Sequence, residues 1–251
     1  MHLVNRPLVL FLVAVILSWV AGRVGAALRS RLTFPEEARA DFGIVEGAIL
    51  TLLGLIIGFT FSMAMTRYDQ RKNLEEEEAN AIGTEYARVD FLAAEDAARL
   101  KELLRRYTEL RVEFYSVPYG ERLARVNNET AKMQDELWTT VAQAAKVQPT
   151  PLTALAAWGM NDVLNSQGYT QAAWWNRIPT SAWWLLFLIA ILSTGLLGYG
   201  AKGRWAHLSM VLPLAIGISF FLIADIDSPR GGVIHVRAVN LEVLSRSLGG
   251  H

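Results

Sequence analysis

The chain has no cysteine. Disulfides and thiolate metal sites are thereby excluded, while the compartment stays open. Its four histidines, His2, His207, His235 and His251, lie far apart, at no spacing that lets two of them grip one metal ion. A glycine-rich phosphate loop and a nucleophile elbow are also missing. No catalytic constellation remains, so neither an enzyme nor a bound cofactor or metal is expected. Charge of one sign is lacking too: 24 Lys+Arg balance 24 Asp+Glu, with no basic block, which argues against a nucleic-acid partner. No segment alternates apolar and polar residues as a half-buried strand would.

What the chain has is apolar residues, 52% of 251, gathered into runs. Four windows approach the roughly 20 residues that cross a hydrocarbon core: Pro7–Leu28, Val45–Met65, Ala182–Gly200 and His207–Ala224. The lipid bilayer is therefore the first expected partner. The opening window has the Arg6 and small residues of a signal peptide, but its apolar run is long for one, and Arg23, Arg29 and Arg31 follow at once; an uncleaved helix fits better. The last two windows form a tight hairpin around residues 201–206.

The second window is the most informative. At about 100° per residue, Gly47, Thr51, Gly54, Gly58, Ser62 and Thr66 share one face, and Ile49, Leu53, Ile56 and Met63 the opposite one. Such a helix turns one side to protein or water and the other to lipid or partner helices. A pore lining and plain close packing through Gly54 and Gly58 both account for the stripe. Glu46 suits a helix N-terminus, with a pore-mouth role as the second reading.

Between the second and third windows, Arg67–Ser181 holds 14 of the 24 basic and 17 of the 24 acidic residues. Ile82, Tyr86, Val89, Leu100, Leu103, Leu104, Tyr107, Leu110 and Phe114 recur in three- and four-residue steps, the mark of amphipathic helices. A break is expected near Leu92–Glu95 and another at Pro118-Tyr119-Gly120. A helix over Glu121–Lys146 follows, then one over Leu152–Asn165 capped by Thr150. The expected fold is an all-α membrane protein: transmembrane helices 1 and 2 in 1–66, a large helical cytoplasmic layer in 67–181, a transmembrane hairpin in 182–224, and a cytoplasmic tail in 225–251. Four spans put both termini and the layer on one side. Arg6, Arg67, Arg71, Lys72, Arg177, Arg230 and Arg237 outnumber Arg29, Arg31, Arg39, Lys202 and Arg204 there, which favours the cytoplasm. Trp174, Trp175, Trp183 and Trp184 are expected as interfacial anchors of the third span.

Two acidic motifs stand out. Glu75–Glu78 reads as a solvated or pairing face beside Arg71 and Lys72. Asp225 and Asp227 close the fourth span, where they oppose the helix dipole and need compensation. The run from Asp225 to Gly232 starts like a calcium loop but has Val236 at the twelfth place. A structural clasp is the expected alternative, an Asx/Pro-Gly turn with Asp225 or Asp227 paired to Arg230, Arg67 or Arg71.

Gly58-Phe59, Ser62 and Thr66-Arg67-Tyr68 resemble the pore-helix motif of the bestrophin anion channels. Glu78-Ala79-Asn80-Ala81-Ile82-Gly83-Thr84 and the Asp225–Gly232 turn resemble a bacterial bestrophin-like family. The resemblance implies a homopentamer of the bacterial inner membrane, multi-pass, conducting inorganic anions such as chloride. Its second span would line a neck at positions matching Phe59, Leu55 and Thr51. Phe59 and Leu55 keep a bulky apolar side chain, whereas Thr51 departs, and Leu52 stands where that family has proline. The calcium clasp of bestrophins has no counterpart, so calcium gating is not implied. On this reading Ser62 and Thr66 offer hydroxyls to a passing anion, and Arg67 adds positive charge at the inner mouth. The alternative function is a non-conducting membrane anchor or sensor whose helical layer binds a partner.

Overall fold

The computed structural model of the chain describes residues 6–29, 31, 36–201 and 210–249; within 36–40 the backbone alone is described. It is all-helical, with no strand among the described residues. The helices are α1 (Pro7–Arg29), α2 (Glu36–Arg88), α3 (Ala94–Ser116), α4 (Glu121–Val147), α5 (Pro151–Trp175), α6 (Thr180–Gly200), α7 (Val211–Asp227) and α8 (Val239–Leu248). They form two compact units, Met1–Arg67 with Arg177–His235, and Tyr68–Asn176 with Val236–His251.

In the first unit α1 packs on α6 and α7. Small residues make the α1–α6 contact possible. A Cβ on Gly25 would lie inside the Gly195 carbonyl, and one on Gly198 inside that of Gly22, so the backbones touch and only glycine fits. Arg29 closes the interface by donating to the carbonyl oxygens of Ala201 and Gly200 at the end of α6, a cation at the negative end of a helix dipole. Across α6 and α7, Trp183 and Phe187 meet Phe220 edge-on, with ring centroids 6.1 and 5.1 Å apart. The buried hydroxyls of Thr60 and Thr194 donate to the carbonyls of Ile56 and Ala190 in their own helices, which satisfies these two polar hydrogens among apolar neighbours.

Three helical stretches, Pro7–Arg29, Asp41–Phe91 and Pro151–Gly200, contain a run long and apolar enough to cross a membrane. In the third, residues 176–179 interrupt the helix. α7 has 17 residues, about 25 Å at 1.5 Å per residue. The start of the expected fourth span at His207, and Lys202 and Arg204 before it, lie outside the described residues, as does His2.

The second unit has its own core: Ile82 and Val89 of α2, Leu100, Leu104, Tyr107 and Phe114 of α3, Leu137 and Val141 of α4, Met160 and Val163 of α5, Leu241 of α8. The three- and four-residue spacing read from the sequence is the spacing of these buried positions. A 3-10 turn at Val89–Phe91 makes the break before α3. Gly120, at φ 142°, makes the turn into α4, in a region other residues rarely enter. Thr150 caps α5 in a capping box with Thr153, their backbone N–H groups each donating to the other's hydroxyl at 2.9 and 3.1 Å.

Several expectations need correction. α5 runs ten residues past Asn165, to Trp175, because Met160, Val163, Ser166, Thr170 and Trp174 continue the buried spacing. Trp174 and Trp183 are core residues rather than interfacial anchors. Trp174 lies edge-on to Phe114 and Tyr115, and of the four expected anchors Trp175 and Trp184 are the exposed ones. The acidic run is half buried: Glu75 and Glu78 point inward while Glu76 and Glu77 are exposed.

The buried acids are paired across long stretches of sequence. Glu78 receives two donors from the fully buried Arg111, Nε to Oε1 and Nη2 to Oε2, and the Thr170 hydroxyl at 3.0 Å. Arg111 also stacks over Phe114, 4.4 Å from the ring centre. Two ions out of water are tolerated because each is neutralised and hydrogen-bonded; removing one partner of such a pair costs about 3–5 kcal/mol. Burial beside Glu78 pushes the phenols of Tyr107 and Tyr115 up. Glu75 accepts from the Leu241 backbone N–H at 2.9 Å and from Asn240 at 2.7 Å. A carboxylate from α2 thus caps the first turn of α8, which has no cap of its own.

Candidate functional site

The apolar part of α2 is the least covered of the three membrane-length stretches. Of its most apolar eighteen residues 6% are buried, against 28% in α1 and 39% in the Pro151–Gly200 stretch. The residues that are buried define its inward side. Leu53 is 3% exposed and Ala64 is fully buried, with Thr60 between them. These positions lie seven and four residues apart, so they share one face.

The sequence-derived candidates fall on the opposite face. Phe59 is 65% exposed and Leu55 52%; Thr51, Ser62 and Thr66 are exposed alongside them. Relative to Leu53, at about 100° per residue, all five point between roughly 120° and 180° away. Gly54 and Gly58 are open: a Cβ on either would meet nothing within 4 Å. Among the described residues nothing covers this side of α2 at Gly54 and Gly58. The Thr51 and Thr66 hydroxyls donate to the carbonyls of Gly47 and Ser62, at 2.8 and 3.0 Å. In that arrangement they present lone pairs outward, so offering a hydrogen to an anion requires breaking the bond to the helix carbonyl by rotation of the O–H about Cβ–Oγ1.

Glu46 and Arg67 are not on this face. Glu46 is half-buried next to the last residue of α6, where a Cβ on Gly200 would come within 2.9 Å of its Oε2. Arg67 lies on the inward side, its Nη1 3.7 Å from Asp227 Oδ1. A guanidinium at the edge of an apolar helix needs a counter-charge, and that need turns it away from Thr66, its neighbour in sequence.

The end of α7 is a dense polar clasp. Asp227 is fully buried. It accepts from the Ile178 N–H at 3.1 Å and Arg177 Nε at 3.2 Å, and faces Arg67. Asp225 is held by backbone instead of arginine: it accepts the N–H groups of Val233 and Ile234, both at 2.8 Å. The chain therefore doubles back under α7, with Ser228 Oγ accepting from Gly231 N at 3.0 Å. A Cβ on Gly232 would stand 2.5 Å from the Asp225 carbonyl oxygen, so the return needs glycine. Arg230 is half-buried. Arg71, the third arginine considered for the clasp, is a buried residue of the second unit.

Arg177 was not legible as a partner of Asp227, because 50 residues separate them. Glu75, Glu78 and Glu85 did carry a signal: with Ile82 they repeat at three- and four-residue steps, in register with the core. Among the described residues no group of three His, Asp or Glu stands ready for a metal ion.

Comparison with solved structures finds the same fold. A bacterial bestrophin homologue from Klebsiella pneumoniae matches with TM-score 0.66 at 17% identity, over 96% of this chain and 98% of that one. A point variant of a bestrophin homologue from the same organism matches with TM-score 0.65 at 14% identity, over 95% and 97%. A comparison with curated proteins finds no match. The family model for the bestrophin-like domain matches residues 8–241, nearly the whole chain. The chain belongs to the bestrophin-like family.

Proposed function

We propose that the protein is an oligomeric, anion-permeable ion channel of the bacterial inner membrane, with the outward face of α2 lining a pore shared between copies. The observation that carries this reading is the uncovered side of α2. An apolar helix with open glycines and exposed hydroxyls in the single chain needs neighbours to fill that side, and a ring of copies around an axis supplies them. Phe59 and Leu55 would form the dewetting constriction, and Ser62 and Thr66 the hydroxyl-bearing stretch beyond it. Family membership supports a homopentamer. Arg67 acts in this scheme as a positioning residue through Asp227, which offsets the charge it would otherwise hold out to anions.

Four spans, with the second unit in the cytoplasm, complete the proposal. Reporters fused after Glu121 and at the C-terminus should both report cytoplasm, and one at Gly203 the other side. The test of function is the stoichiometry of the purified protein together with anion flux from liposomes. A pentamer that conducts anions, faster when Phe59 is replaced by Ala, meets the expectation. A monomer leaves α2 no axis to line. A pentamer that conducts nothing in any variant would favour a membrane anchor, whose helical unit with its own core is the working part.

A further inference from the structure

Glu85 is a charge the channel reading does not use. It lies on α2 within the second unit, fully buried, and neither of its carboxylate oxygens has a hydrogen-bond partner. The two helices at this point run antiparallel. Gln70 and Leu74 of α2 share a groove with Ala172 and Asn176 of α5, Glu78 takes the Thr170 hydroxyl, and Glu85 meets Gly159. At Gly159 the fit is tight: a Cβ there would overlap the Glu85 carboxylate and come within 2.6 Å of Arg88 Nη1. The charged groups acting on Glu85 are Arg88 from its own helix and Asp162 from α5, of opposite sign. The contrast with Glu75 and Glu78 is sharp. Each of those buried acids has two or more donors, and Glu85 has none.

An ionised carboxylate without donors, out of water, is among the costliest groups a fold can contain, and the group escapes that cost by holding its proton. We propose that Glu85 is a proton-operated latch between α2 and α5: neutral when the helices are packed, and forcing water between them when it ionises. Burial, opposed by Arg88 and aided by Asp162, pushes its carboxyl up to about 8. Between the ordinary carboxylate range and that value, folding takes up a proton that the unfolded chain has lost. The latch therefore weakens as pH rises through this window and changes no further above it. This inference concerns the second unit and does not depend on whether the protein conducts.

The test is thermal melting of the full-length protein in detergent from pH 5 to 9.5, wild type beside Glu85→Gln, with infrared spectra at each pH. The wild type should lose several degrees of Tm across the window. Glu85→Gln, which keeps the shape without the charge, should lose far less and melt higher than wild type above pH 8. A neutral carboxylic-acid C=O band should be present at pH 6.5, fade towards pH 9, and be missing from Glu85→Gln. Asp162→Asn should move the midpoint to lower pH and Arg88→Gln to higher pH, opposite shifts that a merely structural role would not produce. Parallel melting curves for wild type and Glu85→Gln, or the same acid band in both, would overturn the proposal.

Discussion

In α1, Gly22 and Gly25 lie backbone to backbone against Gly198 and Gly195 of α6; in α2, Gly54 and Gly58 face open space. Both helices are apolar and of spanning length, and composition alone does not separate them. Their surroundings do. The glycines of α1 are explained by a neighbour 170 or so residues away in the same chain, whereas Gly54 and Gly58 of α2 have no neighbour among the described residues. A small-residue stripe in a membrane helix thus has two different meanings: one is a completed contact, the other a contact or a pore still to be made by another molecule. The function proposed for this protein rests on the second.

The largest effect should come from filling the two kinds of glycine. Gly198→Leu drives a side chain into the backbone of α1, which cannot yield, and should cost more than about 3 kcal/mol; the chain should fail to accumulate as folded protein. A Cβ at Gly58 meets nothing among the described residues, so each copy of Gly58→Leu should fold, and the loss should appear as smaller oligomers in size-exclusion chromatography with light scattering. Equal folding defects in both variants would erase the distinction between the helices.

Next in size is the contrast across α2 itself. Leu53→Ala opens a cavity on the inward side and should cost about 2–5 kcal/mol, read as a lower Tm, with flux per folded channel little changed. Phe59→Ala should do the reverse, raising flux while leaving stability within about 0.5 kcal/mol of wild type, as exposed positions do. Flux opening equally in both would mean the helix is turned by half a revolution in the assembly.

The clasp at the end of α7 should give a smaller, purely structural effect. Asp227→Asn weakens the contacts of Arg67, Arg177 and the Ile178 N–H and should cost about 1.5–3 kcal/mol, more than Asp225→Asn, whose amide oxygen can still accept from one backbone N–H. Unchanged melting in both would show these charges to be solvated. Smallest of all, Thr66→Val removes a hydroxyl already bonded to its own helix. It should alter the preference among anions by less than about 1 kcal/mol, measured as a shift in reversal potential.

The sequence disclosed its periodicities well and its partners poorly. Leu100, Leu103, Leu104, Tyr107 and Phe114 announced α3, and Thr150 the start of α5, because local patterns encode local structure. The outward set of α2 was legible for the same reason: Leu53 and Phe59 differ by a rotation that spacing alone gives. Glu75 and Glu78 were expected on a solvated or pairing face beside Arg71 and Lys72; their burial was not legible, because what buries them is distant: Arg111 lies 33 residues from Glu78 and Leu241 166 from Glu75. Trp174 and Trp183 were misread because an aromatic at the end of a span looks the same in sequence whether it anchors in headgroups or fills a core. α8 was overlooked because its cap, Glu75, is borrowed from another helix.

The absence of cysteine makes the central claim directly testable, since any introduced thiol is the only one in the chain. Phe59→Cys and Leu53→Cys, reconstituted in liposomes, can be exposed to a charged, membrane-impermeant thiol reagent during flux measurement. If the outward face of α2 lines an aqueous pore, the reagent should label the Phe59→Cys protein and reduce its flux, and leave Leu53→Cys untouched. Labelling of Phe59→Cys by a lipid-soluble reagent alone, with flux unaffected, would place that face in the bilayer and contradict the account.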